Sequence, residues 1–174
     1  SISTCLIPYL RRTAMEMKTY KITPDEGENI ILGMSHFIKT VEDIYEVMVN
    51  SSAAIKFGLA FCEASQERLV RSDGNDPDLI AKAEKYADDI GAGHSFIIVM
   101  RDGFPINVLP TLKDCREVCR IFCATANPVE ILIAHTEQGR GIIGVVDGQS
   151  PLGIESEEHK HERIELLKKF GYKR

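Results

Sequence analysis

Residues Asp76 to Met100 read DPDLIAKAEKYADDIGAGHSFIIVM, and this stretch decides the fold class. Asp76 and Pro77 suit an N-cap and a first helical residue: the Asp side chain accepts from orphan amides, and Pro has no amide to leave unpaired there. Leu79, Ile80, Ala83, Ala87 and Ile90 then make one apolar stripe at helical spacing, and Gly91 stops the helix. Phe96 to Met100 is an unbroken apolar run that predicts a buried strand, and Asp102-Gly103 turns the chain after it.

Upstream, Ile55, Phe57, Leu59 and Phe61 alternate with Lys56, Gly58, Ala60 and Cys62, which predicts a strand at least half buried. Leu69 and Val70 follow a polar link, and Ser72-Asp73-Gly74-Asn75 supplies a loop. A helix begins at Thr40, where Thr40 and Asp43 resemble a capping box and Val41, Ile44, Tyr45 and Met48 line one face. Downstream, the pattern predicts a helix over Asn107 to Val118, with Pro110 near its start. Strands are expected at Ile121 to Ala124, Val129 to Ala134 and Gly141 to Val146. A polar helix from about Glu157 to Phe170, closed by Gly171, belongs on the surface. Strands separated by helices and then a late run of strands predict a single α/β domain, a mixed β-sheet with helices packed on its faces.

The chain has 174 residues, a formal net charge of -5 and 27% charged residues, a size at which a core holds without disulfides or a structural metal. The acidic balance speaks against a nucleic-acid binder, which needs a concentrated basic surface. No apolar run approaches the roughly 20 residues that span a bilayer. Ser1 to Ala14 is expected to be an extension outside the fold, leaving 15–174 as the domain. The five cysteines are odd in number and sit mostly in apolar segments, as reduced thiols of the cytoplasm do. Cys115, Cys119 and Cys123 are four apart, unlike the paired spacing of zinc sites, so they are expected to be buried structural thiols and not metal ligands.

Several residues have the chemistry for a site. Gly33 to Thr40 places His36, Lys39, Ser35 and Thr40 just before a helix N-terminus, whose amides and dipole favour an anion. There His36 suits an acid, a base or a phosphoryl-accepting nucleophile, and Lys39 suits phosphate oxygens; a capping loop with a hydrogen-bonded His is the bland alternative. Gly93 and His94 join the helix end to the buried strand, where a ligand can approach the backbone. Asn107 suits a base edge or a local backbone bond. Gly139 to Gly144 satisfies G-x-G-x-x-G but sits on a predicted strand, so it is no Rossmann fingerprint; Arg140 within it suits a phosphate or a plain hairpin turn. Glu63 and Asp147 follow strands and suit ribose hydroxyls, although solvated loop acids look the same in a sequence. His135, His159 and His161 lie in polar sequence and are expected on the surface. No G-x-x-x-x-G-K-[ST] triphosphate cradle occurs.

GMSHFIKTVEDIYE (Gly33 to Glu46), IKFGLAFCEAS (Ile55 to Ser65), IGAGHSFIIVMRDGFPINVL (Ile90 to Leu109), IFCATANPVE (Ile121 to Glu130) and EQGRGIIGVVDGQSPLG (Glu137 to Gly153) together resemble the adenosine-specific kinase family, small prokaryotic proteins with many archaeal members. The resemblance runs from about Lys18 to Lys173. It implies an oligomeric α/β protein, a trimer or hexamer, that binds adenosine or AMP. It also implies phosphoryl transfer, with His36 nominated as a phosphohistidine and Lys39 beside it. Thr40, Glu63, Gly93, His94, Asn107, Asn127, Arg140, Gly141 and Asp147 are the ligand-binding candidates. No cofactor is implied beyond Mg2+ accompanying a nucleoside triphosphate donor. A binding module that senses AMP or adenosine without chemistry is the alternative.

Overall fold

The computed structural model describes residues 14–173, and residues 1–13, most of the expected extension, lie outside them. The chain runs β1 (Glu16–Ile22), β2 (Asn29–Ser35), α1 (Thr40–Ser51), β3 (Lys56–Cys62), β4 (Val70–Gly74), α2 (Pro77–Ile90), β5 (Ser95–Arg101), α3 (Pro105–Asp114), β6 (Val118–Thr125), β7 (Val129–His135), β8 (Arg140–Asp147) and α4 (Glu157–Lys169).

The expected single α/β domain is present, and its strands divide into two sheets. One has the order β4-β3-β5-β2-β6, the other β1-β7-β8, and every ladder in both is antiparallel. A lone parallel bridge between Ala92 and Arg140 ties the two together. The large sheet is buried on both faces, and strand alternation sorts its side chains. Phe57, Leu59, Phe61, Phe96, Ile98 and Met100 pack with α1 and α3 on one face. Ala60, Cys62, Ile97 and Val99 pack with α2 and with Ile131 and Ile133 of the small sheet on the other.

The decisive stretch folds as its residues predict. Asp76 accepts from the amides of Asp78 and Leu79, Pro77 opens α2, and Gly91 ends it at φ 57° with its amide on Ala87. The buried residues Leu79, Ala83, Ala87 and Ile90 are the stripe, and burial of each large member contributes about 1.5–3 kcal/mol. The α2 backbone lies directly on Gly58, where a Cβ would run into Leu79 and Ile80. That explains why the α2-facing positions of β3 are Gly, Ala and Cys.

Five local expectations change. Ser72 to Gly74, expected as a loop, continue strand β4 and pair with Gly58 to Ala60 of β3. Gly33 to Ser35 end strand β2, and only 36–39 form the turn before α1. The N-cap of α1 is Lys39 without a side-chain cap, so the Thr40–Asp43 box does not form: Thr40 is itself helical and its hydroxyl donates to Phe37 O. α3 stops at Asp114, because Cys115 takes an extended ψ of 122°. Cys119 is exposed on β6, whereas Cys62 is buried and Cys115 and Cys123 are half-buried. The polar helix α4 buries no residue, as its composition predicts. No helix among the described residues is long and apolar enough to cross a membrane.

Candidate functional site

The antiparallel registers sort the candidates by which end of the sheets they occupy. β3 ends at Cys62 where β5 begins at Ser95, and Ser95 faces Met34 at the end of β2. Arg140 opens β8 beside Ala92. Glu63, Gly93, His94, His36, Lys39, Thr40, Arg140 and Gly141 therefore gather at one end. Asn107, Asn127 and Asp147 lie at the other, since Asp147 faces Val129 at the far end of β8, an eight-residue strand about 24 Å long.

A cleft of about 610 Å³ opens at the first end, lined by Glu63, Arg68, Leu69, Gly93, Arg140 and Gly141 among others. Glu63 is held in place: Oε2 accepts from the Leu69 amide at 3.2 Å and from Arg71 Nη2 at 3.2 Å. The Leu69 amide first and then the Arg71 charge hold its carboxyl below the usual range, against a desolvation that works the other way. Such a carboxylate stays ionised and accepts hydrogen bonds; it is a weak base. Arg140 donates from Nη1 to Asp89 O at 3.0 Å and reaches Ile90 O at 3.5 Å, capping the last carbonyls of α2. Gly93 lies against Ala64, where a Cβ would stand 3.0 Å from the Ala64 Cβ.

His94 connects this cleft to the His36 turn. It adopts φ 63°. Its amide donates to Cys62 O at 2.7 Å, and its carbonyl accepts from the Ser35 amide at 2.9 Å. Its imidazole stacks on Phe61, with centroids 5.8 Å apart and planes 15° from parallel. In the turn, His36 is exposed and its amide donates to Glu117 O at 3.0 Å. Lys39 Nζ pairs with Asp43 at 2.9 Å. Thr40 is fully buried, its hydroxyl 2.8 Å from Ser35 Oγ, so it holds the turn from beneath.

Comparison with known proteins places the chain in a family. Residues 20–173 match the family model described as adenosine specific kinase. The chain belongs to that family. It is also similar to a solved structure, "Crystal Structure of PH1918 protein from Pyrococcus horikoshii OT3". The two are 44% identical with a TM-score of 0.89, covering 92% of this chain and 99% of that one. None of the curated proteins compared matches the chain.

In this member of the adenosine specific kinase family, the far-end candidates are engaged locally. Asn107 Oδ1 accepts from the Phe104 amide at 2.9 Å, closing the first turn of α3. Asp147 Oδ1 accepts from Thr125 Oγ1 at 2.9 Å and from Asn127 Nδ2 at 3.1 Å. Sequence reasoning missed Arg68, which lines the cleft at φ 55°, and Asp88, which faces it from the last turn of α2. Arg68 belongs to no periodic segment; Asp88 could have been found, because it lies beside the Ala87–Ile90 stripe at the end nearest Gly91.

Proposed function

We propose that the chain binds adenosine or AMP in the Glu63–Arg140 cleft and phosphorylates adenosine through His36. The observation that carries this is the cleft that holds Glu63, Gly93 and Arg140 together, joined through the His94 backbone to the turn that bears His36 and Lys39, in a chain of the adenosine specific kinase family. Glu63, kept ionised, accepts the ribose hydroxyls, and Gly93 lines the same cleft. α1 has no side-chain N-cap, so its first amides and Lys39 are disposed toward phosphate oxygens.

In the reaction, a His36 nitrogen lone pair forms a P–N bond as the donor's terminal P–O bond breaks. The 5′-oxygen of adenosine then forms a new P–O bond as P–N breaks, and the hydroxyl proton ends on the released imidazole nitrogen. Charge stabilisation and positioning supply the catalysis. A nucleoside triphosphate donor would bring Mg2+ on its own phosphates.

The protein works in the cytoplasm, as its free thiols suggest, and as a homo-oligomer, a trimer or hexamer. In support, α4 buries nothing and Leu152 and Ile154 before it are fully exposed, an apolar arm that another copy would cover. The absence of a triphosphate cradle motif favours a second reading, an AMP or adenosine sensor without chemistry.

Phosphorus NMR of the protein with adenosine, Mg2+ and ATP distinguishes them. AMP and ADP growing at equal rates, and abolished in His36→Asn with adenosine binding intact, is the expected result. Turnover retained in His36→Asn refutes the phosphohistidine, and no AMP alongside intact adenosine binding leaves another donor or the sensor, with the sensor then the leading reading.

A further inference from the structure

A second group of reactive side chains lies where α1 meets the link between α3 and β6. Asp43 of α1, Cys115 at the C-cap of α3 and Glu117 before β6 bring two carboxylate oxygens and a thiol within 4.8 Å of one another. Glu117 is only 2% exposed, and its Oε1 is buried with no hydrogen-bond partner. Among the described residues no Lys or Arg pairs with Glu117; the ion pair of the group is Lys39 with Asp43. Two acids and a thiol lie in one corner with Lys39 engaged on Asp43, which leaves the buried Glu117 carboxylate and the thiol without a cation of their own.

We propose that Asp43, Cys115 and Glu117 bind a thiophilic divalent cation of the zinc type. The donor set selects the metal: one sulfur and two oxygens suit zinc, whereas magnesium and calcium take oxygen alone. Tetrahedral zinc holds oxygen and sulfur ligands roughly 3.3–3.8 Å apart, so side-chain rotations of about an ångström close the set. An adjoining cleft of about 410 Å³, lined by Lys39, Asp43, Cys115 and Glu117, gives the ion a way in and leaves its fourth position open. The ligands come from two elements that meet only in the fold, and the other cysteines of the four-residue series take no part. The site borders the His36 turn, since Lys39 pairs with Asp43 and the His36 amide donates to Glu117 O, but its readout needs no nucleoside.

Cobalt(II) titration of the chelator-treated full chain under anaerobic conditions tests this, because a cobalt–thiolate bond gives a charge-transfer band in the near ultraviolet. The expected result is a band saturating at one cobalt per chain and bleached by zinc. It is lost in Cys115→Ser, kept in Cys119→Ser, and requires at least tenfold more cobalt in Glu117→Gln, a near-isosteric change that keeps the variant foldable. Circular dichroism of each variant confirms folding. Absence of the band in the wild-type chain, its survival in Cys115→Ser, or unchanged affinity in Glu117→Gln overturns the proposal. A proton shared between Asp43 and Glu117 would give no band and counts as overturning it.

Discussion

Replacing Gly91 with alanine tests whether Arg140 belongs to the site or only to the end of α2. Gly91 sits at φ 57°, and an added Cβ would stand 2.8 Å from Arg140 Nη1 and 3.3 Å from Asp88 O. The left-handed backbone costs an alanine about 1–2 kcal/mol. The Asp88 carbonyl has to yield a few tenths of an ångström, while the guanidinium, the mobile end of a long side chain, swings away from Asp89 O. For a chain of this length each kcal/mol moves Tm by roughly 2–4 °C, so Gly91→Ala should melt about 2–8 °C lower. Gly91→Asn carries the same Cβ but tolerates the backbone, so it should displace Arg140 with a smaller loss of Tm. If Arg140 stands by to meet a phosphate, both variants change AMP affinity and leave adenosine affinity within about twofold, read by calorimetry. Unchanged Tm in Gly91→Ala refutes the packing argument, and an unchanged AMP-to-adenosine ratio in both variants refutes the role given to Arg140.

Gly58→Ala should be more damaging, because its Cβ meets the α2 backbone instead of a movable side chain; a loss of about 3 kcal/mol or more is expected in urea unfolding, and a loss below about 1 kcal/mol would show that α2 can lift off β3 freely. Gly144→Ala, with nothing within 4 Å, is the matched substitution expected to leave stability unchanged or slightly raised. The Glu63 carboxyl is held below its ordinary 4.5 in the folded state, so its contribution is complete above that pH and is lost as pH falls through the lower folded value. Wild type should therefore lose stability below about pH 4.5 more steeply than Glu63→Gln, and parallel acid curves would contradict this.

Most of the helices and the inner strands were legible because their period matches their burial. α2 is amphipathic, and its Asp-Pro start and Gly stop are local chemistry. β1 and β2 escaped. β2, NIILGMS, is buried on both faces over most of its length, so it lacks the alternation that marks a half-buried strand, and β1 is a mostly exposed strand of a small sheet. Two separate sheets could not be told from one mixed sheet, since pairing partners are set by contacts distant in sequence. At the site, the types of residue were visible and their grouping was not. Glu63 and Asp147 follow strands in the same way, yet the registers send them to opposite ends. Lys39 and Asp43 were read in separate roles although they form one ion pair, and Glu117 attracted no attention because burial of a lone Glu has no sequence signature.

His94 spends its amide on β3 and its carbonyl on β2, so a single residue rivets together two strands that are both neighbours of β5. Its side chain and its backbone are consequently separable parts. Truncating the imidazole removes the plate over Phe61 and leaves the rivet in place. Proline at 94 would lose both: with no N–H and φ locked near -65°, it would also unpin the Glu63–Arg140 cleft from the His36 turn while leaving every other candidate side chain intact. The two halves of the proposed chemistry are thus aligned by one peptide unit on either side of a histidine whose ring need not take part.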